Sequence, residues 1–170
     1  MATSFLAVLG SADAVRWVFR EKRMVFSDRV GNHLSSHVDS GDRLYFYVTG
    51  KCWSAPVGLG GPQPRSGLVV GDAVVLTEIR RLQNRVEISS KSFSYGCGIR
   101  FERLTPLGSG LALPDVADNL DLLTGRRNYG QVLQRTPVRL SPHDAEVIDQ
   151  RLDSLAMPFE DGAQRYLSEK

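Results

Sequence analysis

Residues 41–53 read GDRLYFYVTGKCW, and the placement of this stretch decides the fold. Gly41-Asp42 is a turn dipeptide, and residues 43–49 are rich in strand-forming side chains. Side chains alternate along a strand, so Leu44, Phe46 and Val48 share one face, with Tyr45, Tyr47 and Thr49 on the other. In a barrel one of these faces fills the interior, while the other looks outward or into a cleft. The Leu-Phe-Val face reads as core. The tyrosine face suits either packing or a pocket wall, because a phenol is amphipathic and its hydroxyl needs a partner if buried. Cys52-Trp53 closes the stretch just where strand-end pockets open, ahead of a Gly- and Pro-rich loop from Ser54 to Gly67 that excludes a regular element.

Outward from this strand the chain punctuates itself. SFLAVL (4–9) predicts a strand that stops at Gly10-Ser11, with Ser11 the N-cap of a helix from Ala12 to about Arg23. Ala12, Val15, Val18 and Phe19 form its apolar stripe, and Trp17 lies off it. Residues 27–40 show no sustained period and are expected to be an irregular connection. A second Gly-Asp pair, Gly71-Asp72, opens the strand AVVLTEI; VEISS (86–90) and IRFERL (99–104) alternate in the same way. Leu113, Val116, Ala117, Leu120 and Leu123 predict a helix, with Pro114 in its first turn and Gly125 just past its end. A strand through VLQRTPVRL follows, and Ser141-Pro142 caps a last helix carrying Val147, Ile148, Leu152 and Leu155. Residues 157–170 have little to bury and are expected to be a loosely ordered, acidic tail. The order β-α-β-β-β-β-α-β-α has no regular βαβ alternation. It indicates an α+β fold, a bent, largely antiparallel sheet or small barrel with helices covering its ends.

Charge is unevenly spread. Residues 79–103 hold six Arg/Lys against two acids, a net +4, while residues 141–170 hold seven acids against three bases, a net −4. A basic body with an acidic tail permits a polyanionic partner, although solvated arginine-rich strands look the same. The apolar runs fall well short of the roughly 20 residues of a membrane helix, and the N-terminal residues do not read as a signal peptide. Cys52 and Cys97 have neither CxxC spacing nor a disulfide framework, which suits a reducing cytoplasm.

The sequence carries no recognisable catalytic pattern. There is no GxSxG elbow, and Cys97 with the distant His143 is no nucleophile–base pair. His33 and His37 lack a third ligand, so no metal is expected. GLGG (58–61) and GSG (108–110) lack the continuation of a dinucleotide or P-loop motif and read as turns, so no cofactor is expected either. Asp28 and Asp72 are the only loose candidates for a general base. What remains is aromatic and polar: Tyr47, Trp53, Trp17 and Tyr129 at the ends or edges of elements within a basic body. Flat side chains stack nucleobases and arginines hold phosphates, and an extruded base can be read by polar groups in an aromatic pocket.

The order and spacing of four segments resemble the EVE family, a branch of the PUA-like domains related to YTH and ASCH domains. These are FLAVLGSADAV, GDRLYFYVTG, VVGDAVV and RRNYGQVLQRTPVRLSPHDAEVI. The resemblance covers residues 5–155. It implies a single EVE/PUA-like domain over 1–156, a PUA-like bent mixed β-barrel of about six strands with flanking helices, and a pocket at one barrel end for a modified nucleobase. Carried over by position, it implies ligand-binding roles for Ser11, Phe26, Arg29, Tyr47, Thr49, Asn128, Tyr129 and Gly130; the reading of the residues adds Trp53. Phe5 and Tyr129 stand where the family usually has Trp. Arg80, Arg81, Arg85, Lys91, Arg126 and Arg127 are expected to meet a nucleic-acid backbone. The function so implied is a non-enzymatic DNA or RNA binder. A free-nucleotide or other small-molecule binder, and a small nucleotide- or RNA-processing enzyme, stay open beside it.

Overall fold

The structure is a computed structural model that describes residues 2–54, 58–60, 64, 66–125, 129–133 and 137–168. In chain order it contains β1 (Ser4–Leu9), α1 (Ala12–Glu21), β2 (Arg23–Phe26), α2 (Asp28–Leu34), β3 (Arg43–Val48), a 3-10 turn (Gly50–Trp53), β4 (Leu68–Val75), β5 (Arg80–Ile88) and β6 (Lys91–Leu104). Then come β7 (Leu111–Ala112), two 3-10 turns (Leu113–Asp115 and Ala117–Asn119), α3 (Tyr129–Leu133), β8 (Val138–Leu140), α4 (Pro142–Leu155), β9 (Met157–Pro158) and α5 (Phe159–Leu167).

The mixed sheet runs β2-β6-β4-β3-β1-β8, with β5 and β9 on β6 and β7 on β4. Among the described residues only β1 and β3 pair in parallel, because α1, β2 and α2 lie between them and supply the crossover. β6 is 14 residues long and changes partner along its length: besides β5 and β9, its residues 95–98 pair with β2 and 99–104 with β4. Switching partners along one strand, with ladder irregularities at Phe46/Tyr47 and Asp72/Ala73, curls the sheet into a half-barrel.

Each face is covered. Inside the curl, Leu44, Phe46 and Val48 pack with Phe19 of α1 and with Trp53, Phe159 and Tyr166. Phe19 meets the rings of Phe46, Phe101, Phe159 and Tyr166 edge-on at 5.2–6.4 Å. On the outer face Tyr45 packs with Leu6, Val69, Leu113, Leu120, Ile148 and Leu152, beneath α4 and the 113–123 segment. A strand covered on both sides has no polar face, which is why tyrosines rather than charged residues alternate with its Leu-Phe-Val face.

Four expectations are corrected. Residues 28–34 are helical, with Ser27 accepting from the Val30 amide; only Gly31 and Leu34 are buried, too few for a visible period. Leu113, Val116, Ala117, Leu120 and Leu123 are all buried as their spacing demands, yet the backbone forms separate 3-10 turns. The cause is the buried Asp144 carboxylate, which takes the amides of Asp121 and Leu122 at 2.7 and 2.9 Å, donors a continuous helix would need. The strand expected from 132 starts only at Val138, after α3. Residues 157–168 are not loose: β9 pairs with β6, and α5 buries Phe159, Ala163 and Tyr166, whose hydroxyl donates to the Thr105 carbonyl at 3.0 Å. Burial of this phenol pushes its pKa up to about 12. Three buried residues at helical spacing suffice once a core is ready to receive them.

Gly31 fixes the seat of α2. A β-carbon there would stand 2.3 Å from Cβ and Cγ of Tyr95. Gly31→Ala is therefore expected to cost about 1–3 kcal/mol through overpacking. Urea unfolding checks it, and an unchanged midpoint would mean that α2 does not depend on this contact.

Candidate functional site

β1 pairs with β8 only over Ser4–Leu6, and β2 lies on the other side of α1, so the curl leaves a gap between them. A cavity of about 520 Å³ fills that gap. Its walls are the C-terminal half of β1 (Ala7 to Leu9), the first turns of α1 (Ser11, Ala14, Val18), β2 with the start of α2 (Met24 to Ser27, Val30) and the β5–β6 hairpin tip (Ile88 to Lys91, Phe93). Lys51 and Pro137 complete the lining.

Local sequence logic positions the polar groups. Ser11 ends β1 and caps α1, its Oγ accepting from the Ala14 amide at 3.1 Å. Ser27 does the same for α2. Each cap uses an acceptor lone pair and leaves a hydroxyl hydrogen to donate into the cavity. Phe26, the last residue of β2, and Phe93, opposite Val86 in the hairpin, add flat apolar surface. The hairpin tip is held by two links. Ser89 Oγ donates to Asp13 Oδ2 at 2.8 Å, and Arg85 pairs with Asp28 at 3.5 Å. Between Arg81 and Val86 the β5–β6 ladder is interrupted, so the tip connects to the sheet through an unpaired bulge.

The sequence-derived candidates scatter. Ser11 and Phe26 line the cavity together, as does Lys91. Arg29 is exposed on the first turn of α2, outside the lining. Tyr47 projects from the opposite face of β3, where its hydroxyl crowds Gly67 and burial raises its pKa. Thr49 lies against Cys52, with Oγ1 3.3 Å from Sγ. Trp53 is only 3% exposed and packs on Tyr166 in the inner core. Tyr129 packs against the outer core, and Gly130 is exposed in α3. Asn128, Arg126 and Arg127 lie outside the described residues. Tyr47 and Tyr129 therefore stand on one side of the sheet and Phe26 on the other, and these three do not converge.

Of the basic residues of the hairpin, all exposed, Lys91 lines this cavity and Arg80 lines a separate one with Arg23 and Gly98. Arg80 pairs with Glu78, and Arg81 lies over the Tyr95 ring at 5.1 Å. Trp17, off its helix stripe, packs at the edge of the inner core beneath Arg23, 5.8 Å from its ring. Ala14, Ser27, Lys51, Ile88 and Phe93 went unread as site residues. For Phe93 alone there is a sequence signal, the alternation of Phe93, Tyr95, Cys97, Ile99 and Phe101, which marks one continuous strand running back to the hairpin.

The loose catalytic candidates lie elsewhere. Asp72 is fully buried and pairs with Arg43 and Arg103. Asp28 is exposed in its ion pair with Arg85. Burial pushes the Cys97 thiol up to about 12 and also raises that of Cys52, so neither is a thiolate near neutral pH. Asp121, His143 and Asp144 cluster, but both Asp144 oxygens already accept backbone amides and His143 Nε2 lies 2.8 Å from the Asn119 carbonyl oxygen. Among the described residues, no carboxylate, imidazole or thiol lines the cavity.

No family model matches the sequence, and no curated protein matches it either. Solved structures do match in fold. A hypothetical protein from Leishmania major is 12% identical, with coverage of 91% of this chain and 96% of that one and a TM-score of 0.56. The Pho92 YTH domain in complex with m6A is 10% identical, with 89% and 86% covered and a TM-score of 0.57. The YTH domain-containing protein mmi1 in an RNA complex is 10% identical, with 88% and 81% covered and a TM-score of 0.51. The chain thus shares the YTH-like half-barrel. Among its described residues no helix is long and apolar enough to cross a membrane.

Proposed function

We propose that this chain is a non-enzymatic nucleic-acid-binding module of the EVE branch of PUA-like domains, which takes one modified base into the cavity between β1 and β2. The observation that carries the reading is the cavity itself: Ser11 and Ser27 supply hydroxyl donors, Phe26 and Phe93 supply flat walls, and among the described residues no general acid or base beyond two lysines lines it. Bases stacked on aromatic rings and read by a few polar groups need this combination. The exposed arginines of β5 belong to the hairpin whose tip lines the cavity, and they offer charge for the flanking phosphates of an extruded base. The fold shared with YTH domains solved with m6A and with RNA supports RNA as the partner ahead of DNA.

Titrating labelled RNA and DNA oligonucleotides bearing N6-methyladenine, 5-methylcytosine or 5-hydroxymethylcytosine, against unmodified controls, tests the proposal. One modified strand is expected to bind about tenfold tighter than its control, a difference of about 1.4 kcal/mol. Binding should weaken steeply between about 50 and about 200 mM salt. A free-nucleobase binder would instead hold its affinity across that range. Equal and negligible binding of every strand would overturn the proposal.

A further inference from the structure

The chain carries nearly balanced charge, 21 basic and 19 acidic residues, yet the cavity departs from that balance. Its described lining includes two cations, Lys51 and Lys91, and no carboxylate. The lysines come from different elements: Lys51 from the 3-10 turn after β3, and Lys91 from the first position of β6 at the hairpin tip. Both are exposed, and among the described residues neither has an ion-pair partner. The nearby carboxylates are engaged elsewhere. Asp13 accepts from Ser89 and lies 3.9 Å from Arg16, and Asp28 pairs with Arg85. The cavity is also roomy. About 520 Å³ is within the range that holds a ligand of drug size, so a flat base leaves space for a further group.

We infer that this cavity binds a nucleotide carrying an anionic group at its mouth, held by Lys51 and Lys91, while the base rests against Phe26 and Phe93. The inference rests on the base-binding reading above and narrows it to a charged ligand. An anionic oxygen group satisfies two ammonium ions that have no ion-pair partner among the described residues, whereas a neutral nucleoside supplies neither cation with a counter-charge. Two chemical sources fit: a carboxylate carried on the base itself, or the phosphate of the bound nucleotide.

Calorimetric titration of the full chain with four probes separates them: N6-methyladenosine, its 5′-monophosphate, 5-methylcytidine and 5-carboxycytidine. At least one charged probe is expected to bind about tenfold tighter than its neutral counterpart at low salt. Lys51→Gln and Lys91→Gln, both at exposed positions where folding tolerates substitution, should each cut that ratio several-fold, and the double variant should bring it near one. A preference for 5-carboxycytidine alone places the anion on the base, and a preference for the monophosphate assigns it to the nucleotide's phosphate. Charged and neutral probes binding alike, or a ratio that survives in the double variant, overturns the inference while leaving the base-binding reading standing. Failure of all four probes and of the modified oligonucleotides to bind folded protein overturns both.

Discussion

Replacing Asp72 by alanine is expected to lower the unfolding free energy by about 3 kcal/mol, at the lower end of the range for removing one partner of a buried ion pair. Asp72 is fully buried in β4 and receives two arginines from its neighbouring strands, Arg43 diagonally from β3 and Arg103 from directly opposite on β6. Arg103 donates through Nε at 3.1 Å and Nη2 at 2.9 Å, then reaches Asp149 and Asp153 of α4. These bonds hold the Arg103 guanidinium pKa above its ordinary value, against the opposing effect of burial. The same α4 carboxylate, Asp149, accepts from the Tyr45 hydroxyl at 3.2 Å. Burial, with the Asp149 charge next, raises that phenol's pKa. One carboxylate thus joins three strands to a helix, and its loss leaves cations where water reaches them only partly. The side chains of Arg43 and Arg103 keep 33% and 19% exposure and Arg103 keeps Asp149, which sets the cost near the bottom of the range. Asp72→Asn, retaining the shape and one acceptor, should cost less than alanine in urea unfolding. A loss below about 1 kcal/mol for alanine would show that the arginines re-solvate freely.

Asp72 also shows where sequence reading stops. In the sequence it belongs to a Gly-Asp pair resembling Gly41-Asp42, and both read as turn punctuation. Asp42 fits: it lies just before β3, buried, and accepts from the amides of Thr3 and Asp39. Asp72 does not, because its arginine partners lie 29 and 31 residues away, and local spacing cannot show a pairing that only the sheet creates. The 113–123 segment fails likewise. Its burial periodicity was legible, but the carboxylate that diverts its amides comes from Asp144. Elements whose signals are local were read closely: β1, α1 with its Ser11 cap, β3 and α4. The half-barrel followed from their order. Of the residues that line the cavity, Ser11 carries a local signal, a strand end that caps a helix. Phe26 is named only by the family resemblance, because the four residues of β2 are too few to show an alternation of their own. Lys51 and Phe93 enter only because the sheet curls, bringing the turn after β3 and the β5–β6 hairpin to the same gap.

Phe26→Ala is expected to weaken binding of the preferred modified strand roughly tenfold to a hundredfold, the measure of a lost base–aromatic stack of about 1–3 kcal/mol. Phe26 is 6% exposed, ends β2 opposite Tyr95 and packs with the inner core while lining the cavity. Truncation therefore removes core contacts as well as ligand contacts, and binding must be compared at a temperature where urea unfolding shows the variant folded. Phe26→Leu separates the two roles. It restores most of the apolar volume but has no flat face, so it should recover stability without recovering affinity. Phe26→Trp, with a larger ring at the same strand end, should match or exceed the wild-type affinity. The exposed arginines of β5 are unaffected in all three variants, so weak, salt-sensitive binding of unmodified strands should persist at the wild-type level. Wild-type affinity for the modified strand in a folded Phe26→Leu variant would remove this ring from the recognition surface and leave the cavity without a base platform at β2.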